Sequence, residues 1–221
     1  MHQSAPIVFL HTARPNVAMF GELMTRLAPS VPVRHELLES VMLEAAGTGA
    51  LTESMRGQTE SAIRTFAADG ATLIVCTCST IGGVAEATVV DRGVRVMRID
   101  RPMAEAAVAS ARRIVVAATL QSTVRPTVEL MRNVAADADR QIDLVEVMCA
   151  DAWPHYQRGD HAAYAAAIAD AVAAQAAGAD IVVLAQASMA QAAPLLAARG
   201  IDAIASPETG VRAALGIYAR F

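Results

Sequence analysis

Gly70-Ala-Thr-Leu-Ile-Val-Cys-Thr-Cys78-Ser79-Thr80-Ile-Gly-Gly83 is the stretch that decides the fold. It opens on a glycine where an amphipathic helical pattern stops. It then runs through Leu73, Ile74 and Val75, a short apolar segment rich in β-branched residues. Such a run, set between a helix and a glycine pair, predicts a buried parallel strand. The strand ends in a thiol flanked by hydroxyls, and helix-compatible sequence follows Gly83. Cys78 is thereby placed at the carboxyl end of a strand and the amino end of a helix. Open α/β sheets bind their ligands at such ends, where unpaired N–H groups and the helix dipole favour anions.

Working outward, the same alternation covers the chain. Pro6 to Leu10 predicts a strand, His11 to Asn16 a loop and Val17 to Ala28 a helix. Val31 to Leu38 predicts a second strand, followed by a loop through Gly47 and Gly49. Thr52 to Asp69 predicts a helix with Gly70 just past its end. After the cysteine strand come a short helix to Asp91, a strand over Val94 to Ile99, and a helix start at Asp100-Arg101-Pro102. The order then restarts. Arg113 to Ala118, Ile142 to Val147, Asp180 to Ala185 and Ala203 to Ala205 read as strands. A hydroxyl-rich loop spans Thr119 to Thr123, with a helix from about Pro126. His161 to Ala177 predicts a helix with Asp160 as N-cap and Gly178 past its end. Ser188 to Arg199 reads as one helix, and Ser206-Pro207-Glu208 opens the last.

The restart is a repeat. Ile7-Val8 superimposes on Ile114-Val115 at an offset of 107 (114 − 7), which also places Thr12 on Thr119. Gly70-Ala71 superimposes on Gly178-Ala179 at an offset of 108 (178 − 70), which places Cys78 on Gln186. Short Val/Ile strands resemble each other easily, but the ordered glycine and threonine matches argue for two similar α/β halves. The expected halves are 1–99, joined by a C-terminal helix at 206–221, and 100–205, with a ligand cleft between them.

Composition narrows the function. The 221 residues are 54% hydrophobic and 18% charged, enough for a sizeable core. A net charge of −4 without a basic stripe argues against nucleic acid. No apolar run approaches the roughly 20 residues of a membrane span, and residues 1–10 do not read as a signal peptide. The three cysteines, Cys76, Cys78 and Cys149, lack metal-type pairing, so reduced thiols, a cytoplasmic location and no metal are expected. Cys76, inside its strand, reads as packing.

The motifs His11-Thr12 with Pro15-Asn16, Cys78-Ser79-Thr80, Ile99-Asp100-Arg101-Pro102-Met103, Ala118-Thr119-Leu120 with Thr123, and Leu184-Ala185-Gln186-Ala187-Ser188-Met189 stand in this order along most of the chain. Together they resemble the aspartate/glutamate racemase superfamily, which includes hydantoin racemase, maleate isomerase and arylmalonate decarboxylase. The resemblance implies two flavodoxin-like halves with parallel sheets, no cofactor, and independence from pyridoxal phosphate. It also implies a homodimer and proton transfer at the carbon α to a carboxylate of a small substrate. Racemases of this family use two cysteines on opposite faces of that carbon. Cys78 matches the first. The second matches Gln186, which cannot act as a thiolate base but can donate a hydrogen bond.

By the same resemblance Thr12, Asn16, Ser79, Thr80, Thr119, Thr123 and Gln186 hold the carboxylate and its enediolate oxygens. Each hydroxyl also has the plainer reading of a cap or turn residue. His11, at a strand end, is a proton relay or a histidine bonded beside the site. Cys149, also at a strand end, is a second thiol or a core residue. Arg14 and Arg125 either attract the carboxylate or are solvated charges. His155 and His161 flank a Trp153 loop and read as surface residues. Three functions follow: an amino-acid racemase or isomerase, a one-thiol decarboxylase or lyase on a dicarboxylate, and a carboxylate-binding protein without turnover.

Overall fold

The computed structural model describes residues 5–91 and 93–221. These form two compact units, Met1–Asp100 with Pro207–Phe221, and Arg101–Ser206. In the first, β1 (Ile7–His11), α1 (Pro15–Leu27), β2 (Val33–Leu37), α2 (Glu39–Thr48), α3 (Glu53–Ala68), β3 (Leu73–Cys76), α4 (Ser79–Ala87) and β4 (Arg95–Arg98) follow in order. The second holds α5 (Arg101–Ser110), β5 (Arg113–Ala118), α6 (Gln121–Asp137), β6 (Asp143–Met148), α7 (Trp153–Gln157), α8 (His161–Gln175), β7 (Ile181–Leu184), α9 (Ala193–Ala197) and β8 (Ala203–Ala205). The last helix, α10 (Ser206–Tyr218), returns the chain to the first unit. There the Tyr218 hydroxyl donates to the Ala5 carbonyl at 2.8 Å.

Each unit is a four-stranded parallel sheet, ordered β2-β1-β3-β4 in one and β6-β5-β7-β8 in the other. The register reproduces the sequence repeat. Ile7 pairs with Leu73, and Ile114 pairs with Ile181. Ile114 and Ile181 stand 107 and 108 positions beyond those partners. The central strands are apolar but for His11 and Arg113 at their ends, because helices cover both faces, as the unbroken Val/Ile runs require. Val8, Leu10, Ile74 and Cys76 pack with Met55, Ile63 and Ile81 in the first unit. Val115, Ala117, Val182 and Leu184 pack with Tyr164, Ile168 and Val172 in the second.

Helix ends follow local chemistry. Thr52 caps α3 by accepting the Met55 N–H, and Asp160 caps α8 by accepting the Ala163 N–H. Gly70 and Gly178 have positive φ of 88° and 75°, the left-handed turn that lets each helix feed the next strand.

Three expectations change. The loop expected through Gly47 is instead largely α2, with Gly49 in the left-handed conformation at its end. The Thr119–Thr123 loop is short, because α6 starts at Gln121 and carries Pro126 inside it. A proline so near the start removes only one ladder bond, so the helix continues through it. The helix expected over Ser188 to Arg199 divides into a 3₁₀ segment, Ala187–Ala192, and the short α9, whose early proline suits a fresh start. Among the described residues no helix is long and apolar enough to cross a membrane.

Candidate functional site

The carboxyl edge of the first sheet gathers the residues expected from the first half. Cys78 is the N-cap of α4, with extended backbone at φ −108° and ψ 117°, and is partly exposed. Ser79 and Thr80 fill the first turn and are buried. Thr12 follows β1 and Asn16 lies in the first turn of α1, both buried. Since β1 and β3 are neighbours, the two loops leave the sheet side by side. Cys76 is fully buried in the core, with its thiol 3.6 Å from the Cys78 carbonyl. Burial, then the neighbouring Cys78 sulfur, pushes its pKa far above the ordinary thiol value.

His11 ties three neighbouring strands together. Its Nδ1 is 2.8 Å from Thr77 Oγ1 and its Nε2 is 2.9 Å from His35 Nδ1. Thr77 Oγ1 spends its only proton on the Leu10 carbonyl at 3.1 Å. It must therefore accept from His11 Nδ1–H, and His11 Nε2 must accept from His35 Nδ1–H. The chain ends on a backbone carbonyl, so it does not deliver a proton to Cys78. His11 is a tether between β1, β2 and β3, and the relay reading falls.

Burial, then the charge of His35, lowers the His11 pKa from 6.5 to about 3, and burial lowers that of His35 as well. The folded state thus holds a neutral His11 that the unfolded chain protonates below pH 6.5. This contribution to stability is complete above that pH. It declines as pH falls towards 3, by up to about 5 kcal/mol over the whole window. Urea unfolding between pH 7 and 4 is expected to show this loss. His11→Gln keeps a donor and an acceptor but does not titrate, and should flatten the slope. Equal slopes for both proteins would contradict the assignment.

Arg98 and Asp100 lie beneath α4; the sequence reads Asp100 as part of a helix start and does not show its pairing with Arg98. The guanidinium Nε and Nη2 donate to the two Asp100 oxygens at 2.6 and 2.9 Å. Both side chains are almost inaccessible. Arg98 Nη2 also reaches the Ser79 carbonyl at 3.4 Å. A Cβ at Gly82 would sit 2.9 Å from Arg98 Nε, which explains a glycine inside α4. The available signal was spacing: residues 98 and 100 fall on one face of an extended segment.

In the second unit Gln186 repeats the position of Cys78. It is an N-cap with extended backbone, φ −119° and ψ 141°, after the third strand of its sheet. Its Oε1 accepts the Thr119 backbone N–H at 2.6 Å and the Thr119 hydroxyl at 2.9 Å. A backbone N–H can only donate, so the carboxamide oxygen is the atom facing Thr119. The resemblance gives Thr119 a carboxylate to hold; in the structure both of its donors are already used by Gln186. Thr123 is buried in the first turn of α6, its N–H bonded to the Leu120 carbonyl. Beside it, the buried Ser122 hydroxyl has no hydrogen-bond partner among the described residues.

Two further groups flank this loop. Tyr164 is fully buried, with its hydroxyl 2.9 Å from Ser188 Oγ. Burial pushes its pKa up to about 12 against the opposing hydrogen bonds of Ser188 and Thr119. Cys149 lies in the core beside Tyr164, with its pKa pushed up to about 11 by burial, and this removes it as a second reactive thiol.

The remaining candidates are surface groups. Arg14 pairs with Glu39 and Arg125 with Glu129, all exposed. His155 is half-buried and His161 exposed around the short α7, where Trp153 stacks on Tyr156. Among the described residues no three His, Cys, Asp or Glu side chains are grouped to hold a metal.

No family model matches the chain, and neither does any curated protein sequence. Solved structures do. Picrophilus torridus aspartate racemase is similar with a TM-score of 0.71 at 14% identity, over 97% of this chain and 94% of that one. Thermus thermophilus glutamate racemase in complex with β-chloro-D-alanine gives 0.68 at 15% identity, over 100% and 83%. Unliganded arylmalonate decarboxylase gives 0.55 at 14% identity, over 97% and 93%. The paired parallel sheets of this chain are thus the fold seen in the aspartate and glutamate racemases.

Proposed function

We propose that this chain is a cofactor-independent enzyme of the aspartate/glutamate racemase superfamily that transfers a proton at the carbon α to a carboxylate, with Cys78 as the thiol acid and base. One observation carries the reading. Of the three cysteines, Cys76 and Cys149 are buried, and Cys78 alone is accessible, at a helix N-cap on the carboxyl edge of a parallel sheet. The Cys78 thiolate takes the α-proton. The electron pair spreads onto the carboxylate as an enediolate. Return of the proton by the Cys78 thiol to the same face gives exchange with retention, and inversion requires a second proton donor, other than Gln186, at the opposite face. Thr12, Asn16, Ser79, Thr80 and Thr123 are the proposed donors to the oxygens. The unpartnered Ser122 hydroxyl supports an acceptor near the start of α6. The substrate is a small acidic amino acid or related carboxylate, and the activity an isomerase of the racemase type.

A second reading is a one-thiol decarboxylase or lyase on a dicarboxylate. It is favoured by Gln186, whose amide replaces a second acid-base group and whose oxygen is occupied by Thr119. The two readings separate with Gln186→Cys, tested on D- and L-aspartate, glutamate and an arylmalonate. A racemase scaffold is expected to gain interconversion of enantiomers by at least about tenfold, since an acid-base group contributes 10²–10⁴-fold. Release of CO₂ from the malonate by the unaltered protein, with no gain of racemisation in the variant, would establish the lyase instead.

A further inference from the structure

We infer that Thr119 is the positioning residue that fixes the Gln186 carboxamide, so that the amide NH₂ is the group this unit presents to a ligand, and that the ligand there supplies a hydrogen-bond acceptor such as a carboxylate oxygen. The inference rests on the carboxylate reading for the ligand's chemical class. The orientation itself stands on the hydrogen bonds.

A free glutamine side chain offers two donors and one acceptor oxygen, and rotation about its last bond exchanges them. Here that rotation is removed. The Thr119 N–H and hydroxyl both converge on Oε1, at 2.6 and 2.9 Å. Turning the amide over would set its NH₂ against a backbone N–H, leaving donor facing donor. The Gln186 loop is itself held by the buried Tyr164 phenol, 2.9 Å from Ser188 Oγ. Thr119 and Gln186 follow adjacent strands, β5 and β7, whose register is fixed along their length. The only polar atom of Gln186 left for a ligand is its NH₂, which bonds nothing else among the described residues. A fixed NH₂ selects an acceptor. It offers nothing to an ammonium group or to a C–H bond.

The test uses the full chain in five forms: unaltered, Gln186→Glu, Gln186→Leu, Thr119→Val and Thr119→Ser. Amide hydrogen exchange at residue 119 reports the lock without any ligand. Protection is expected in the unaltered protein and in Gln186→Glu, whose carboxylate still accepts both bonds. Exchange should be at least about tenfold faster in Gln186→Leu. Calorimetric titration with malonate reports the donor. Affinity is expected to fall at least about tenfold in Gln186→Glu, Gln186→Leu and Thr119→Val, and to stay within about threefold in Thr119→Ser. Protection unchanged by Gln186→Leu would overturn the lock. Protection lost but malonate affinity unchanged would overturn the presented donor. Failure of every carboxylate to bind the unaltered protein, with protection as expected, would sink the carboxylate reading and the ligand class here, and leave Thr119 as the orienting residue.

Discussion

Asp100→Ala is expected to lower the unfolding free energy by about 3–5 kcal/mol, the cost of leaving one member of a buried ion pair alone. Arg98 makes two charge-assisted bonds to Asp100, at 2.6 and 2.9 Å, and neither side chain reaches water. Without the carboxylate the guanidinium keeps, among the hydrogen bonds of the described residues, the 3.4 Å contact to the Ser79 carbonyl. It has no room to turn outward, because α4 passes so close above it that residue 82 is a glycine. The pair itself contributes little net stability, since burying two charges offsets most of their attraction. Replacing both with apolar residues, Arg98→Met with Asp100→Leu, should therefore recover most of the loss. Urea unfolding checks both proteins. A loss below about 1 kcal/mol in the single variant would mean that Arg98 finds another partner or water.

Cys78→Ala is expected to reduce turnover by about 10³-fold and to change stability by less than about 1 kcal/mol. The thiol is at the surface end of β3 and fills no sealed space. Cys76→Ala should show the reverse. Its sulfur is fully buried among Leu10, Ile74 and Ile81, so its loss costs packing and leaves the chemistry within a few fold. Steady-state assays together with thermal unfolding on the two variants check the contrast. Equal effects on turnover would mean that Cys78 acts through the loop it belongs to.

The fold was legible because its central strands carry their own signal. Ile7 to Leu10 and Leu73 to Cys76 are apolar on both faces, and only a parallel sheet covered by helices buries both. The internal repeat then supplied the second sheet, and the observed register keeps the same offsets. The position of Cys78 followed from the strand and the glycine pair. What spacing could not supply was how side chains from distant segments share hydrogen bonds. Thr119 and Gln186 are far apart in sequence, and nothing local shows that one uses up the other's oxygen. His11 reads from sequence as either a relay or a bonded histidine, because a histidine at a strand end has the chemistry for both. The proton of Thr77, spent on the Leu10 carbonyl, removes the relay role. Helix starts were missed by two to five residues at Pro15, Ser79 and Gln121, where extended N-caps and prolines give a weak periodic signal.

The claim that Cys78 moves a proton at the carbon α to a carboxylate is tested most directly by incubating the protein in D₂O. The panel is aspartate, glutamate, a hydantoin and an arylmalonate, with the α-proton followed by NMR and Cys78→Ala run in parallel. The account predicts thiol-dependent deuterium incorporation in at least one compound. Inversion would mark a racemase, retention a one-sided site, and deuterated product after loss of CO₂ a decarboxylase. Incorporation that persists in Cys78→Ala, or none from the folded protein across the whole panel, would contradict it.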